Sequence, residues 1–164
     1  MRKSKSTHRR ILAIYPNSRG FGFALLEGKE LLVDWGVVQT KFDKHRQCLS
    51  RTKRFIEQYR PDVVVTEDAP KSLHRGKRIR KLLTAIRQLV LKMDVKCKGV
   101  SRAQVRKYFR SPRRVTKHHI AQGIAERFPE LSSRLPPPRK PWMSEDSRMA
   151  IFDAMALGLS SESK

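Results

Sequence analysis

The sequence predicts an α/β fold: a mixed five-stranded sheet, an antiparallel three-strand meander joined to parallel strands, with helices on both faces. Three observations predict it. Three apolar segments between residues 10 and 38 are separated by turns short enough to require antiparallel neighbours. The continuously apolar, β-branched run in "PDVVVTEDAP" marks a buried central strand. Helical patterns before and after that run supply the crossovers that parallel strands need.

The elements follow in order. Arg10 to Ile14 is an apolar run that Pro16 stops, and Pro16-Asn17-Ser18-Arg19-Gly20 carries turn chemistry. Phe21, Phe23 and Leu25 alternate with small residues, as a strand does. Glu27-Gly28-Lys29-Glu30 is the next turn, and Leu31 to Val38 is the third strand. Phe42 to Tyr59 reads as a helix with Cys48, Leu49, Thr52, Phe55, Ile56 and Tyr59 on one face. Pro61 ends it, and the buried strand that follows closes on Glu67 and Asp68. Ile79, Leu82, Leu83, Ile86, Leu89, Val90 and Met93 then recur at helical spacing. "DVKCKGVS" supplies a fifth strand, and "RAQVRKYF" a short helix or turn. Thr116 to Phe128 is a helix with Ile120, Ile124 and Phe128 inward. Pro136 to Pro141 is a stiff extended connector, anchored by Trp142. Ser144 caps a last helix that reaches about Gly158. One domain is expected over 10–159, with a basic arm at 1–9 and a short tail at 160–164.

Charge narrows the function. Thirty-seven Lys and Arg face 15 Asp and Glu, a formal net charge of +22 in 164 residues. Such an excess opposes compaction and calls for an anionic partner. Nucleic acid is the first candidate, because its phosphates are dense and release counterions on binding. A membrane surface is the weaker one, since no apolar run approaches a spanning length and no segment resembles a secretory signal. Cys48 and Cys97 form no CxxC pair, which fits a reduced, cytoplasmic setting. The five histidines lack zinc-ligand spacing.

Three acidic loci stand out: Glu67-Asp68 at the end of the buried strand, Glu145-Asp146 at the start of the last helix, and Asp153 within it. Asp153 stands in "MAIFDAMALGL", where a carboxylate must be paired, hydrogen-bonded or metal-bound. A partner cation or a solvent-facing position satisfies it without function. Glu67 has the same alternative, and acids in a helix's first turn need no role beyond the dipole. Asp146 and Asp153, seven residues apart, share a helical face to within about 20°. Metal-assisted phosphodiester hydrolysis needs such carboxylates to converge from separate elements on hard cations. Two basic stretches offer phosphate contacts: Arg75, Lys77, Arg78 and Lys81, and then Arg106, Lys107, Arg113 and Arg114.

At these residues the chain resembles the RuvC-type resolvase branch of the ribonuclease H-like superfamily. "ILAIYPNSRGFGFALLEG" is similar to the family's opening strand, Asp-Pro-Gly turn and glycine-rich second strand. "PDVVVTED" resembles its second acidic strand, "VSRAQVRKYF" with "TKHHIAQGIAERFP" the segment after its fifth strand, and "EDSRMAIFDAMALGL" its last helix. The resemblance implies a divalent-metal-dependent endonuclease, using Mg²⁺ or Mn²⁺ on DNA, branched DNA included, and working as a homodimer. Glu67 matches the family's second acid and Asp153 its last. The family's first acid falls on Tyr15, and the acid paired with its last falls on Ala150. Asp146 is then the expected third metal ligand, with Tyr15 lining the site. Asp34, Asp68 and Glu145 are further candidates to replace the missing acids. The alternative is a nuclease-derived protein that binds structured DNA or RNA and cuts nothing.

Overall fold

The computed structural model describes residues 9–110 and 116–161. Strands β1 (Arg10–Asn17), β2 (Gly20–Glu27) and β3 (Leu31–Gln39) form the antiparallel meander. Helix α1 (Lys44–Tyr59) crosses to β4 (Val63–Glu67), which pairs parallel with β1. Helix α2 (Lys77–Lys92) crosses to β5 (Lys96–Val100), parallel to β4. The sheet order is β3-β2-β1-β4-β5. Helices α3 (Arg102–Tyr108), α4 (Lys117–Arg127) and α5 (Met149–Ser161) complete the chain. The expected mixed sheet is therefore present. No helix among the described residues is long and apolar enough to cross a membrane.

Side-chain parity sorts β1 and β4 between two cores. Leu12, Ile14 and Val64 face one way, against Phe55 and Ile56 of α1 and Leu82 and Ile86 of α2. Ile11, Ala13, Tyr15, Val63 and Val65 face the other way, against α4 and α5. Ile11, Leu12 and Ile14 are fully buried, and each such side chain contributes about 1.5–3 kcal/mol by leaving water. The same parity decides where chemistry can sit. Tyr15 continues the α5 side of β1, and Glu67 continues the α5 side of β4.

Helix α5 lies close on the sheet because Gly22 has no side chain. A Cβ there would fall 2.3 Å from the Ala150 carbonyl and 2.6 Å from its Cβ. Ala150 is thus buried against β2.

Three boundaries and one packing role differ from the sequence expectation. Pro16 does not stop β1, which runs to Asn17 with Pro16 opposite Phe21. The ladder with β4 ends at Ala13, so the proline lies where only one neighbouring strand remains. Helix α1 begins at Lys44, after Asp43 adopts a left-handed conformation. The last helix begins at Met149, not at Ser144. Asp146 prevents an earlier start: its Oδ1 accepts the Arg148 backbone N–H at 2.9 Å and its carbonyl accepts Met149 N–H at 3.0 Å. That local turn competes with a helix. Trp142, finally, is not an anchor; it is 78% exposed, with Lys140 Nζ 5.4 Å from its ring centroid.

Candidate functional site

The carboxyl ends of β1 and β4, the loop before α2, and helices α3, α4 and α5 enclose a cavity of about 200 Å³. Ligands of open α/β sheets gather at such strand ends. Tyr15, Glu67, Arg75, Lys117 and Asp153 meet there, with His74, Arg102 and Arg106 at the wall.

Tyr15 lies between two cations. Arg75 Nη1 donates to its hydroxyl at 3.0 Å, and the guanidinium lies 4.8 Å from the ring centroid. Lys117 Nζ lies 5.3 Å from the same centroid. Arg75 also donates through Nη2 to the Pro16 carbonyl. Burial, then Asp153, pushes the phenol up to about 12 against the pull of Lys117 and Arg75. Tyr15 is therefore a neutral hydroxyl near neutrality.

Glu67 is buried at the end of β4. Arg75 Nε lies 3.4 Å from Oε1, an ion pair without an aligned hydrogen bond. Ser72 Oγ donates to Oε2 at 3.3 Å, and His74 Nε2 lies 3.6 Å from it. Burial lowers the His74 pKa, Glu67 opposes that, and Arg102, Arg75 and Lys117 add to the fall. His74 is accordingly neutral at pH 7.

Asp153 has its side chain 11% exposed, and Lys117 Nζ donates to its Oδ2 at 3.1 Å. Burial pushes this carboxyl up to about 6 even though Lys117 pulls it back. The same ammonium donates to Glu145 Oε1 at 2.8 Å. Burial pulls Lys117 down, and Asp153, Tyr15 and Glu145 more than reverse it, holding it above the ordinary lysine value. Lys117 keeps 39% of its side chain in solvent.

The expected residues separate into groups. Tyr15, Glu67, Asp153, Arg75 and Arg106 share the cavity. Asp146 does not join them. Its carboxylate accepts Arg148 Nη2 at 2.8 Å, and that bond holds it below the usual range. Asp34 accepts the Tyr59 hydroxyl instead. Asp68 does not line the cavity, and Glu145 reaches Asp153 only through Lys117. Lys77, Arg78, Lys81 and Lys107 are exposed on α2 and α3. Arg113 and Arg114 lie outside the described residues. Lys117, the partner that Asp153 requires, was not among the residues singled out from the sequence. The signal was the demand of Asp153 itself for a counter-charge.

This sheet order, with five helices distributed as described, is superimposable on solved structures. Thermus thermophilus RuvC in complex with a Holliday junction substrate matches with a TM-score of 0.67 and 16% identity, over 93% of this chain and 92% of that one. A second Thermus thermophilus RuvC structure matches at 0.65 and 17%, over 92% of each. The chain has a RuvC-type, ribonuclease H-like fold. No family model matches its sequence, and no curated protein does.

A RuvC-type fold implies a divalent-metal site, and the residues present do not fit one. Glu67 and Asp153 are each already paired with a cation. The third position is a neutral phenol, and the fourth, Ala150, is packed on Gly22. Among the described residues no cluster of three or more His, Cys, Asp or Glu side chains could hold a metal ion. The cavity wall instead carries Arg75, Arg102, Arg106 and Lys117 against two carboxylates. Its excess charge suits an anion.

Proposed function

We propose that the chain binds structured nucleic acid, branched DNA foremost, and holds a backbone phosphate at Tyr15 without metal-dependent hydrolysis. The observation that carries this reading is the pair of cations flanking Tyr15, Arg75 on one side and Lys117 on the other. The Tyr15 oxygen accepts from Arg75, so its hydrogen remains available to a phosphate oxygen. Arg102 and Arg106 extend the positive wall along α3. The fold's likeness to a junction-bound RuvC supports branched DNA as the ligand.

The test is fluorescence anisotropy with a labelled four-way junction in EDTA, alongside a cleavage gel in Mg²⁺ and in Mn²⁺. Tight binding in EDTA and intact strands in both metals is the expected result. Strand scission that Glu67→Gln abolishes overturns the reading.

A second reading, a metal-dependent endonuclease, has one observation in its favour. Glu67 Oε1 is buried without a hydrogen-bond partner, in the same cavity as Asp153. An unsatisfied carboxylate oxygen is a ligand in waiting if Arg75 withdraws. The cleavage gel separates the two.

A further inference from the structure

The first turns of α1 and α2 and the turn after β1 border a second cavity, of about 540 Å³. Ser18, Lys44, His45, Arg78 and Lys81 line it, with Asp43 its one carboxylate. It shares no lining residue with the Tyr15 cavity. Parity explains why: Tyr15 faces α5, whereas α1 and α2 cover the opposite face of the sheet. The two cavities therefore flank the end of β1 from its two sides.

Among the described residues, Lys44, Arg78 and Lys81 form no ion pair. Like charges converging on an open cavity repel one another until an anion enters. Burial is the chief cause that lowers the Lys44 pKa; Cys48 opposes it, and Arg75 and Arg78 add smaller downward pushes. The backbone adds to the field. Both helices begin here, neither has a side-chain cap, and neither carries an acid in its first turn. Their first N–H groups and dipoles therefore reinforce the side-chain charge. Phe42, immediately before Asp43, is 79% exposed. An exposed aromatic beside a cationic pocket is the pairing that holds an unstacked nucleotide.

We infer that this cavity is a second phosphate site, taking a nucleotide of a separate strand segment with its base on Phe42. The inference rests on the proposed binding of nucleic acid and deepens it. A ligand that fills both cavities must pass around the end of the sheet, which a branch or sharp bend permits and a straight duplex does not.

Lys44→Glu and Phe42→Ala test it, by anisotropy in EDTA with a four-way junction, a linear duplex and a single strand. Glutamate suits a helix's first turn, and Phe42 is exposed, so both variants keep the fold; circular dichroism checks this. Lys44→Glu is expected to weaken junction binding about tenfold or more. It should also lower the slope of log affinity against log salt by about 0.9, one phosphate's worth. Linear duplex binding should change less than about threefold. Phe42→Ala should weaken junction and single-strand binding roughly fivefold or more without changing the slope. Unchanged junction binding in both variants overturns the inference while leaving the proposed function standing. Equal losses on junction and duplex also overturn it, because the cations are then a general basic surface. A wild-type chain that binds none of the three ligands overturns both.

Discussion

Lys117 Nζ lies 3.1 Å from Asp153 Oδ2 and 2.8 Å from Glu145 Oε1, so one ammonium ties α5 to the loop that precedes it. This contact makes a buried acid tolerable, and it occupies the carboxylate that a metal would otherwise need. Removing the cation while keeping its stem should isolate the effect. Lys117→Met is expected to destabilise the fold by about 1–2 kcal/mol at pH 7. That is less than a fully buried pair would cost, because Lys117 is partly solvated. Below pH 4 the difference should shrink, since Asp153 is then protonated and only the exposed Glu145 contact is left. Urea melts at the two pH values measure both.

Asp153 makes its own pH prediction. Its carboxyl rises from 3.8 to about 6 on folding, burial being the chief cause. Between those values the folded chain binds more protons than the unfolded one, so stability falls as pH rises. The full span amounts to at most about 3 kcal/mol. Asp153→Asn should abolish this component. Its stability relative to wild type should rise from pH 4 to pH 6 and then level off.

Tyr15 can be tested by subtraction and by replacement. Tyr15→Phe should remove a tyrosinate titration near 12 from the near-ultraviolet spectrum. It should also weaken junction binding, since a hydrogen bond to a charged group contributes about 1.5–3 kcal/mol. Tyr15→Asp sets a third carboxylate beside Glu67 and Asp153. Calorimetry should then detect tighter Mn²⁺ binding than in wild type. Equal Mn²⁺ affinity in the two chains would mean that Tyr15 does not govern metal fit.

Gly22→Ala probes the seat of α5. The added methyl meets backbone atoms of Ala150, which cannot rotate away. Overpacking of this kind costs about 1–3 kcal/mol, or a fall in Tm of roughly 3–10 °C for a chain of this size. Differential scanning calorimetry reads it directly.

Much of this was legible beforehand, for identifiable reasons. The β-branched run from Val63 to Val65 permits no solvent-facing side, so its central place follows from composition alone. The periodicity of α2 was equally plain, with Leu82, Leu83, Ile86 and Val90 buried as expected. The start of α5 was not. Asp146 looks the same in sequence whether it sits in a helix's first turn or closes a turn with Arg148, and only the latter keeps it from Asp153. The pairing of Lys117 with Asp153 spans 36 residues, and one lysine among so many cations carries no local mark. Trp142 misled because large aromatics usually find cover, whereas this one stands out from the proline connector.

Arg75 has a mechanical consequence. Its guanidinium holds the Tyr15 hydroxyl, the Pro16 carbonyl and the Glu67 carboxylate, and the next residues open α2. The strand end and the helix start are thereby buttoned together by one side chain. Under the proposed phosphate binding, a phosphate that draws Arg75 toward itself loosens the button, and the loop of residues 72–76 loses one of its tethers while Ser72 and His74 keep theirs to Glu67. Protease sensitivity of that loop thus becomes a gauge of whether the pocket is filled, readable without a labelled ligand.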